Sequence, residues 1–212
     1  MIEPDVVVVA SGQGPAVAVP ASRVVVAADG GLDRAVSLGL AVDVVVGDLD
    51  SVSQEALERA DAGGIRVVRH PEAKDATDLE LALDEAVALG AARVLVVGSD
   101  GGRLDHLLAS LLLLGSERYA ALELDALLGR TSVHVIRRER TMRGTSGDLL
   151  TLLALGGPAT GVTTEGLAYP LVKETLHAGS TRGVSNVFVS GEATVRVARG
   201  VLLAVRPPKE GK

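Results

Sequence analysis

Asp29, Asp48, Asp50, Asp75, Asp78, Asp100 and Asp105 all lie in segments that follow short β-branched runs. Ala28-Asp29-Gly30-Gly31 follows Val24–Ala27, and Gly47-Asp48-Leu49-Asp50-Ser51 follows Val44–Val46. His70 and then Lys74-Asp75-Ala76-Thr77-Asp78 follow Ile65–Val68. Gly98-Ser99-Asp100-Gly101-Gly102-Arg103-Leu104-Asp105-His106 follows Val94–Val97. If the runs are strands of a parallel sheet, four consecutive strand ends deliver carboxylates to the rim where such sheets bind ligands. Like charges gathered in this way are costly unless a cation neutralises them. A hard, oxygen-liking ion is the natural counter-charge, and Mg²⁺ held by a few carboxylates plus substrate phosphates fits best. Asp48 and Asp50 can converge on one ion in a turn that leaves a strand. Gly30, Gly31, Gly101 and Gly102 let backbone amides approach phosphate, and the helices that follow offer their positive ends. Arg103 adds a fork for phosphate oxygens. Together these groups suit phosphoryl-type transfer or hydrolysis.

Each loop taken alone is an ordinary turn or cap, since Asp and Gly are common there. It is the set of four on one rim that points to a ligand. Ser11-Gly12-Gln13-Gly14 reads as a plain turn, and no Walker A sequence occurs. His70, His106, His134 and His177 lack metal-ligand spacing. Ser51 reads as a hydrogen-bonding or capping residue, and Arg137-Arg138-Glu139-Arg140 as an exposed charged segment.

The elements that must position this rim alternate through the first half of the chain. Strands are expected at Val6–Ala10, Val24–Ala27, Asp43–Val46, Ile65–Val68 and Arg93–Val97. Helices are expected at Leu32–Leu38, after an N-cap at Ser53, at Asp78–Leu89 behind Thr77 or Asp75, and at Arg103–Leu114. That alternation argues a parallel α/β sheet with right-handed crossovers. Leu122 to Arg130 reads as a connection. Beyond it come short strand-like runs at Val133–Ile136, Leu149–Ala154, Val162–Glu165, Thr194–Ala198 and Val201–Val205, split by Gly, Thr, Ser and Pro. The expected fold is therefore an N-terminal parallel-sheet α/β domain, residues 1–125, followed by a small antiparallel β-sandwich, residues 126–212. The tail Pro207-Pro208-Lys209-Glu210-Gly211-Lys212 should fray.

Composition narrows the classes. The 212 residues carry a net charge of −6, which argues against nucleic-acid binding by general electrostatics. Cysteine is absent, which excludes disulfides, thiolate zinc sites and Cys nucleophiles. Aromatics are limited to Tyr119, Tyr169 and Phe188, so the core must be aliphatic. The acidic start and the short apolar run after it resemble neither a leader nor a membrane span, and a cytoplasmic protein is expected.

Taken in order and spacing, Asp29-Gly30-Gly31, Gly47-Asp48-Leu49-Asp50-Ser51, Asp75-Ala76-Thr77-Asp78 and Gly101-Gly102-Arg103-Leu104-Asp105-His106 resemble the thiamine pyrophosphokinase family. Gly166-Leu167-Ala168-Tyr169-Pro170-Leu171 and Ser185-Asn186 resemble its two C-terminal signatures. The family usually shows Ser-x-Ser-Asn in the last signature, where this chain has Gly183-Val184-Ser185-Asn186. The resemblance implies transfer of pyrophosphate from ATP to the hydroxyethyl group of thiamine, with Mg²⁺, giving thiamine diphosphate and AMP. It implies a homodimer with the thiamine site at the subunit interface. By matching position, Asp48, Asp50 and Asp78 would hold the metal. Asp29, Gly30, Asp75, Thr77 and Arg103 would surround the nucleotide. Asp105 would sit where the two substrates meet, and Asp78 or Asp105 could take the hydroxyl proton. Tyr169, Ser185 and Asn186 would belong to the thiamine side. Rival readings are a pyrophosphokinase for another hydroxymethyl heterocycle such as a pterin, a non-catalytic nucleotide-binding module, and a Mg²⁺-dependent hydrolase. Asp5, outside every one of these loops, is expected to be dispensable for turnover.

Overall fold

The structure, a computed structural model, describes residues 3–12, 18–73 and 75–208. Gln13, Gly14, Lys74 and the end of the tail at 209–212 lie outside the described residues. The chain divides into two compact units. One runs to Ser110 and adds Ala121–Arg130; the other holds Leu111–Ala120 and the chain from Thr131 onward.

The first unit is built on β1 (Val6–Val9), β2 (Val24–Ala28), β3 (Val44–Gly47), β4 (Arg66–Arg69), β5 (Arg93–Gly98) and β6 (Glu123–Leu128). Their order is β4-β3-β2-β1-β5-β6, and every pairing is parallel. All four valines of β1 are buried. Stiff β-branched side chains buried on both faces are what a central parallel strand requires. The chain walks outward from β1 to β4 and then returns past β1 to lay down β5. The order therefore reverses between β1 and β5, which makes their carboxyl ends the switch point of the sheet.

Among the described residues, α-helices α1 (Gly31–Ser37), α2 (Gln54–Gly63) and α3 (Asp78–Ala88) accompany these strands, and α4 (Leu104–Leu114) begins in this unit and ends in the other. Ser53 caps α2, its Oγ accepting from the Ala56 amide at 3.2 Å. Of the two candidate caps for α3 it is Thr77 that serves, accepting from the Glu80 amide at 3.3 Å. Such a cap is worth ~1 kcal/mol. Leu79, Ala82, Leu83 and Ala86 form the buried face of α3, which packs on β1, β2 and β3.

Residues 122–130 are not merely a connection. Glu123–Leu128 form β6, a sixth strand in parallel register with β5, with Leu124 opposite Val94 and Leu127 opposite Val97. Five of its six residues are buried. Leu and Ala carry weak strand propensity, so the sheet edge rather than the local sequence imposes the extended form.

The second unit holds β7 (Thr131–Ile136), β8 (Glu139–Arg143), β9 (Leu149–Glu165), β10 (Glu174–Leu176), β11 (Asn186–Val187), β12 (Glu192–Arg196) and β13 (Arg199–Arg206). The order β7-β13-β9-β12-β8 is antiparallel in the pairings of β13 and β12, and β10 and β11 also pair with β9. Leu149–Ala154 and Val162–Glu165 are one strand that runs on through Gly156-Gly157-Pro158. Its first half pairs with β13 and its second with β12, so one strand serves two parts of the sheet. The charged segment at 137–140 leads into β8, where Met142 alone is fully buried. A strand with one apolar contact shows no alternation to read. Ile136, Met142, Leu150, Leu152, Val162, Phe188, Val195 and Leu202 meet in one core.

Candidate active site

The rim forms because glycines let the strand ends touch. A Cβ on Gly31 would lie 2.0 Å from the Val9 carbonyl oxygen. One on Gly30 would lie 3.1 Å from Ser11 Oγ and 3.3 Å from the Ser51 carbonyl oxygen. One on Gly47 would lie 3.0 Å from both Asp29 Cβ and Asp78 Oδ1. One on Gly12 would lie 2.8 Å from Ser99 Cβ. The backbones of the loops after β1, β2, β3 and β5 are thus packed against one another or against short side chains, with Asp78 of α3 among them.

Asp29, Asp48 and Asp50 each offer a carboxylate oxygen within 4.8 Å of the others. Two backbone features bring them together. Leu49 turns through φ 67°, so the chain reverses between Asp48 and Asp50, and Asp48 Oδ1 accepts the Asp50 amide at 3.2 Å. This is an Asx turn, a local device of short acidic side chains. Asp29 itself has φ 46°. A non-glycine residue held there costs ~1–3 kcal/mol and persists only where the surroundings fix it. Asp29 is buried, and its Oδ1 has no hydrogen-bond partner among the described residues. A buried carboxylate oxygen left in that state is expensive. Hard oxygens converging on one point, one of them buried and unmatched, fit a Mg²⁺ ion. Sequence reasoning placed Asp29 with the nucleotide; the geometry sets it beside Asp48 and Asp50. Asp78 stands at Gly47, next to Asp29.

Arg103 and Asp105 meet at the start of α4. The guanidinium gives Asp105 two hydrogen bonds, Nη2 to Oδ2 at 2.6 Å and Nε to Oδ1 at 3.2 Å. That fork, ahead of smaller contributions, holds the Asp105 carboxyl down at about 2, and it raises the Arg103 guanidinium in turn. Both side chains are exposed, so the pair is easily exchanged for another partner. Asp100 reaches over Gly129, where a Cβ would lie 2.3 Å from its carboxylate. Asp75 is exposed and lies just ahead of the Thr77 cap. Ser51 donates to Asp50 Oδ1 at 2.8 Å, in keeping with its hydrogen-bonding reading.

In the β unit, the signature at 166–171 folds into a corner. A Cβ on Gly166 would lie 2.2 Å from the Glu192 carbonyl oxygen. Leu167 is buried and bridges Phe188. Leu171 is buried, its amide donating to Thr164 Oγ1 at 2.8 Å. Tyr169 stands at the tip, 66% exposed. Its backbone is held on both sides by Asn186: the Tyr169 amide donates to Asn186 Oδ1 at 3.0 Å, and Asn186 Nδ2 donates to the Tyr169 carbonyl at 2.7 Å. The Val187 amide also reaches Asn186 Oδ1, at 2.9 Å. Asn186 is buried and occupied by these contacts. Ser185 turns at φ 58° and its amide donates to Thr151 Oγ1 at 3.0 Å. Gly183 explains the departure from Ser-x-Ser-Asn. A Cβ there would lie 2.3 Å from the Leu152 carbonyl oxygen, so this backbone admits no side chain.

The fold, a parallel sheet followed by an antiparallel β unit, is shared with solved thiamine pyrophosphokinases. Thiamine pyrophosphokinase from Bacillus subtilis superimposes with a TM-score of 0.82 over 97% of this chain and 99% of that one, at 22% identity. Thiamin pyrophosphokinase from Geobacillus thermodenitrificans gives 0.77 over 97% and 99%, at 24% identity. In sequence, the Bacillus subtilis enzyme is 25% identical over 167 residues, 76% of each chain. Thiamine pyrophosphokinase 3 of Oryza sativa subsp. japonica is 32% identical over 165 residues, 72% of this chain and 60% of that one. The family models "Thiamin pyrophosphokinase, catalytic domain" and "Thiamin pyrophosphokinase, vitamin B1 binding domain" match residues 17–124 and 133–202. The chain belongs to the thiamine pyrophosphokinase family and is an enzyme of that activity.

Proposed function

We propose that this enzyme transfers the terminal pyrophosphate of ATP to the hydroxyethyl oxygen of thiamine, at the rim formed by the ends of β1, β2, β3 and β5. The observation that carries the site is the convergence of Asp29, Asp48 and Asp50, with the buried Asp29 Oδ1 unmatched among the described residues. Asp48, Asp50 and Asp78 would hold Mg²⁺, with Asp29 beside them, and the ion would offset charge on the polyphosphate. Gly30, Asp75, Thr77 and Arg103 lie on the nucleotide side of this reading. Arg103 would exchange Asp105 for phosphate, since its fork suits either anion. Asp105 is held at about 2 only while Arg103 is its partner, so Asp78 and Asp105 both stand as groups that would receive the hydroxyl proton. Placement of the hydroxyl in line with the β-phosphorus does most of the work in such transfers.

Thiamine belongs to the β unit in this reading, as the vitamin B1 binding match at 133–202 supports. Tyr169 and Ser185 would face it, and Asn186 would act by fixing the Tyr169 backbone. The functional division would fall between residues 1–125 and 126–212. A homodimer is supported by α4, whose Leu104, Leu108 and Leu112 are 67%, 52% and 61% exposed at one-turn spacing. An apolar stripe of this kind is the signature of a covered helix face. A cytoplasmic setting is consistent with the absence of cysteine. No helix among the described residues is long and apolar enough to cross a membrane. Acceptors other than thiamine and a non-catalytic role are not favoured by the comparisons.

AMP release from Mg·ATP, measured with and without thiamine, tests the reading. Thiamine-dependent AMP is expected. AMP formed only with hydroxymethyl-dihydropterin would overturn the acceptor, and phosphate released without any acceptor would overturn transfer.

A further inference from the structure

We propose that Arg34 is a positioning residue for the nucleotide, a buried clamp that holds the loops after β1 and β5 together at the switch point of the sheet. This rests on the reading of the rim as an ATP site. Arg34 lies on α1 and is buried. Its Nη1 donates to the Gly12 carbonyl at 3.0 Å, and its Nη2 to the Gly98 carbonyl at 3.3 Å. Gly12 comes just after β1 and Gly98 ends β5, so one guanidinium joins the two strand ends at which the order reverses.

The join constrains the Ser11-Gly12 turn and the loop beyond Gly98. Gly98 leads into Ser99-Asp100-Gly101-Gly102-Arg103, the glycine loop whose amides face the rim in this reading. Gly12 is pressed onto Ser99 so closely that a Cβ would lie 2.8 Å from the serine Cβ. Ser11, its neighbour, donates to the Ala28 carbonyl at 3.3 Å and abuts Gly30. A shift at Gly12 is thereby passed to Ser99 on one side and to the Asp29-Gly30 turn on the other. The Gly129 amide donates to the same Gly98 carbonyl at 2.9 Å, which fixes the other side of that loop. Charge adds a second effect. Burial lowers the Arg34 pKa and Asp100 opposes that shift, so a cation stays within reach of an acidic rim. A planar fork can serve two carbonyls at once; an ammonium group on a flexible stem holds such geometry poorly.

Calorimetric binding of Mg·ATP, which needs no acceptor, reads the clamp in Arg34→Lys and Arg34→Met. Both are expected to raise Kd for Mg·ATP at least tenfold. Steady-state assays should show KM for ATP rising in step while KM for thiamine stays within twofold. A folded variant of either kind with wild-type affinity for Mg·ATP would overturn the proposal, whatever its melting temperature. The wild-type chain supplies a measurement that no misfolding can spoil. Mg·ATP should slow amide exchange at Gly12 and at Ser99–Gly102 together, and protection of one loop without the other would also overturn it. Wild-type protein that binds Mg·ATP but makes no AMP with thiamine would sink the acceptor and leave the clamp standing. Wild-type protein that fails to bind Mg·ATP would sink both.

Discussion

The acidic rim and the Tyr169 corner solve opposite problems with similar parts. Both are loops pinned by glycines that admit no Cβ, Gly31 on the rim and Gly166 and Gly183 at the corner. At the corner a buried polar side chain, Asn186, commits both its amide oxygen and its amide nitrogen to backbone groups. At the rim a buried carboxylate, Asp29, keeps one oxygen unmatched beside two more acids. Buried polar groups are nearly always satisfied, so the two states mean different things. The satisfied amide is scaffold, and what it offers a ligand is the side chain it aims. In the proposed reading the unmatched oxygen belongs to a site that a cation would complete. The contrast is what the proposed division predicts, with chemistry in the α/β unit and recognition in the β unit.

The sharpest way to break this contrast is to remove one rim carboxylate. Asp48→Asn or Asp50→Asn should lower kcat on the order of 10²–10³-fold, the scale seen when one charge-stabilising group is lost. The far-ultraviolet circular dichroism should not change, because both side chains are at least partly exposed. Near-wild-type turnover in either variant would remove the metal assignment.

The corner should respond differently. Asn186→Leu removes all three hydrogen bonds, which lie in a part-buried setting, a loss of ~1 kcal/mol for each bond. KM for thiamine should rise about tenfold, the equivalent of ~1.4 kcal/mol, while KM for ATP holds. A rise in both constants would dissolve the division of labour. Gly183→Ser sharpens the same point. It restores the family's hydroxyl, yet the Leu152 carbonyl stands 2.3 Å from where its Cβ must go. The melting temperature should drop with no gain in thiamine KM, and a tighter KM would show that the backbone yields.

Much of this was legible in the sequence. The five strands that feed the rim stand out as β-branched runs, and Asp48-Leu49-Asp50 reads as a turn on residue type alone. Four strands were not legible: β10 and β11 are only three and two residues long, too short to show a pattern, and the other two failed for separate physical reasons. The strand at Glu123–Leu128 is built from Leu and Ala and borrows its conformation from the β5 edge. The strand at Glu139–Arg143 buries one side chain fully, too few to show a period. In the site, Asp29 could be placed on the rim but not among the acids that converge, because convergence depends on a φ of 46° that sequence does not display. Arg34 gave no signal, since an arginine on a short helix looks solvated until its burial is seen. Asn186 was visible as a motif residue, but its role needed the backbone of Tyr169, 17 positions away.

Asp105 tests the proton side of the rim at smaller cost. Its carboxyl, held at about 2 by Arg103, is ionised throughout the working range. The acid limb of kcat/KM between about pH 5 and 8 should therefore lie at the same pH in Asp105→Asn as in the wild type. A limb that vanished with Asp105 would make it the base.

Asp5 marks the lower end of the scale. It lies outside the rim, and its Oδ2 accepts the amides of Ala92 and Arg93 at 3.0 and 2.9 Å, which ties the start of β1 to β5. These bonds, the Arg93 amide first, lower its pKa. A carboxyl whose pKa is depressed by folding adds stability above its unfolded value, and that stability fades as pH falls through the folded one. Asp5→Asn should leave turnover unchanged, as the sequence implied, and lower the melting temperature slightly at pH 7. Since asparagine does not titrate, the gap from wild type should close below pH ~4. A gap that held its size in acid would mean that the carboxylate charge does not set the anchor's strength.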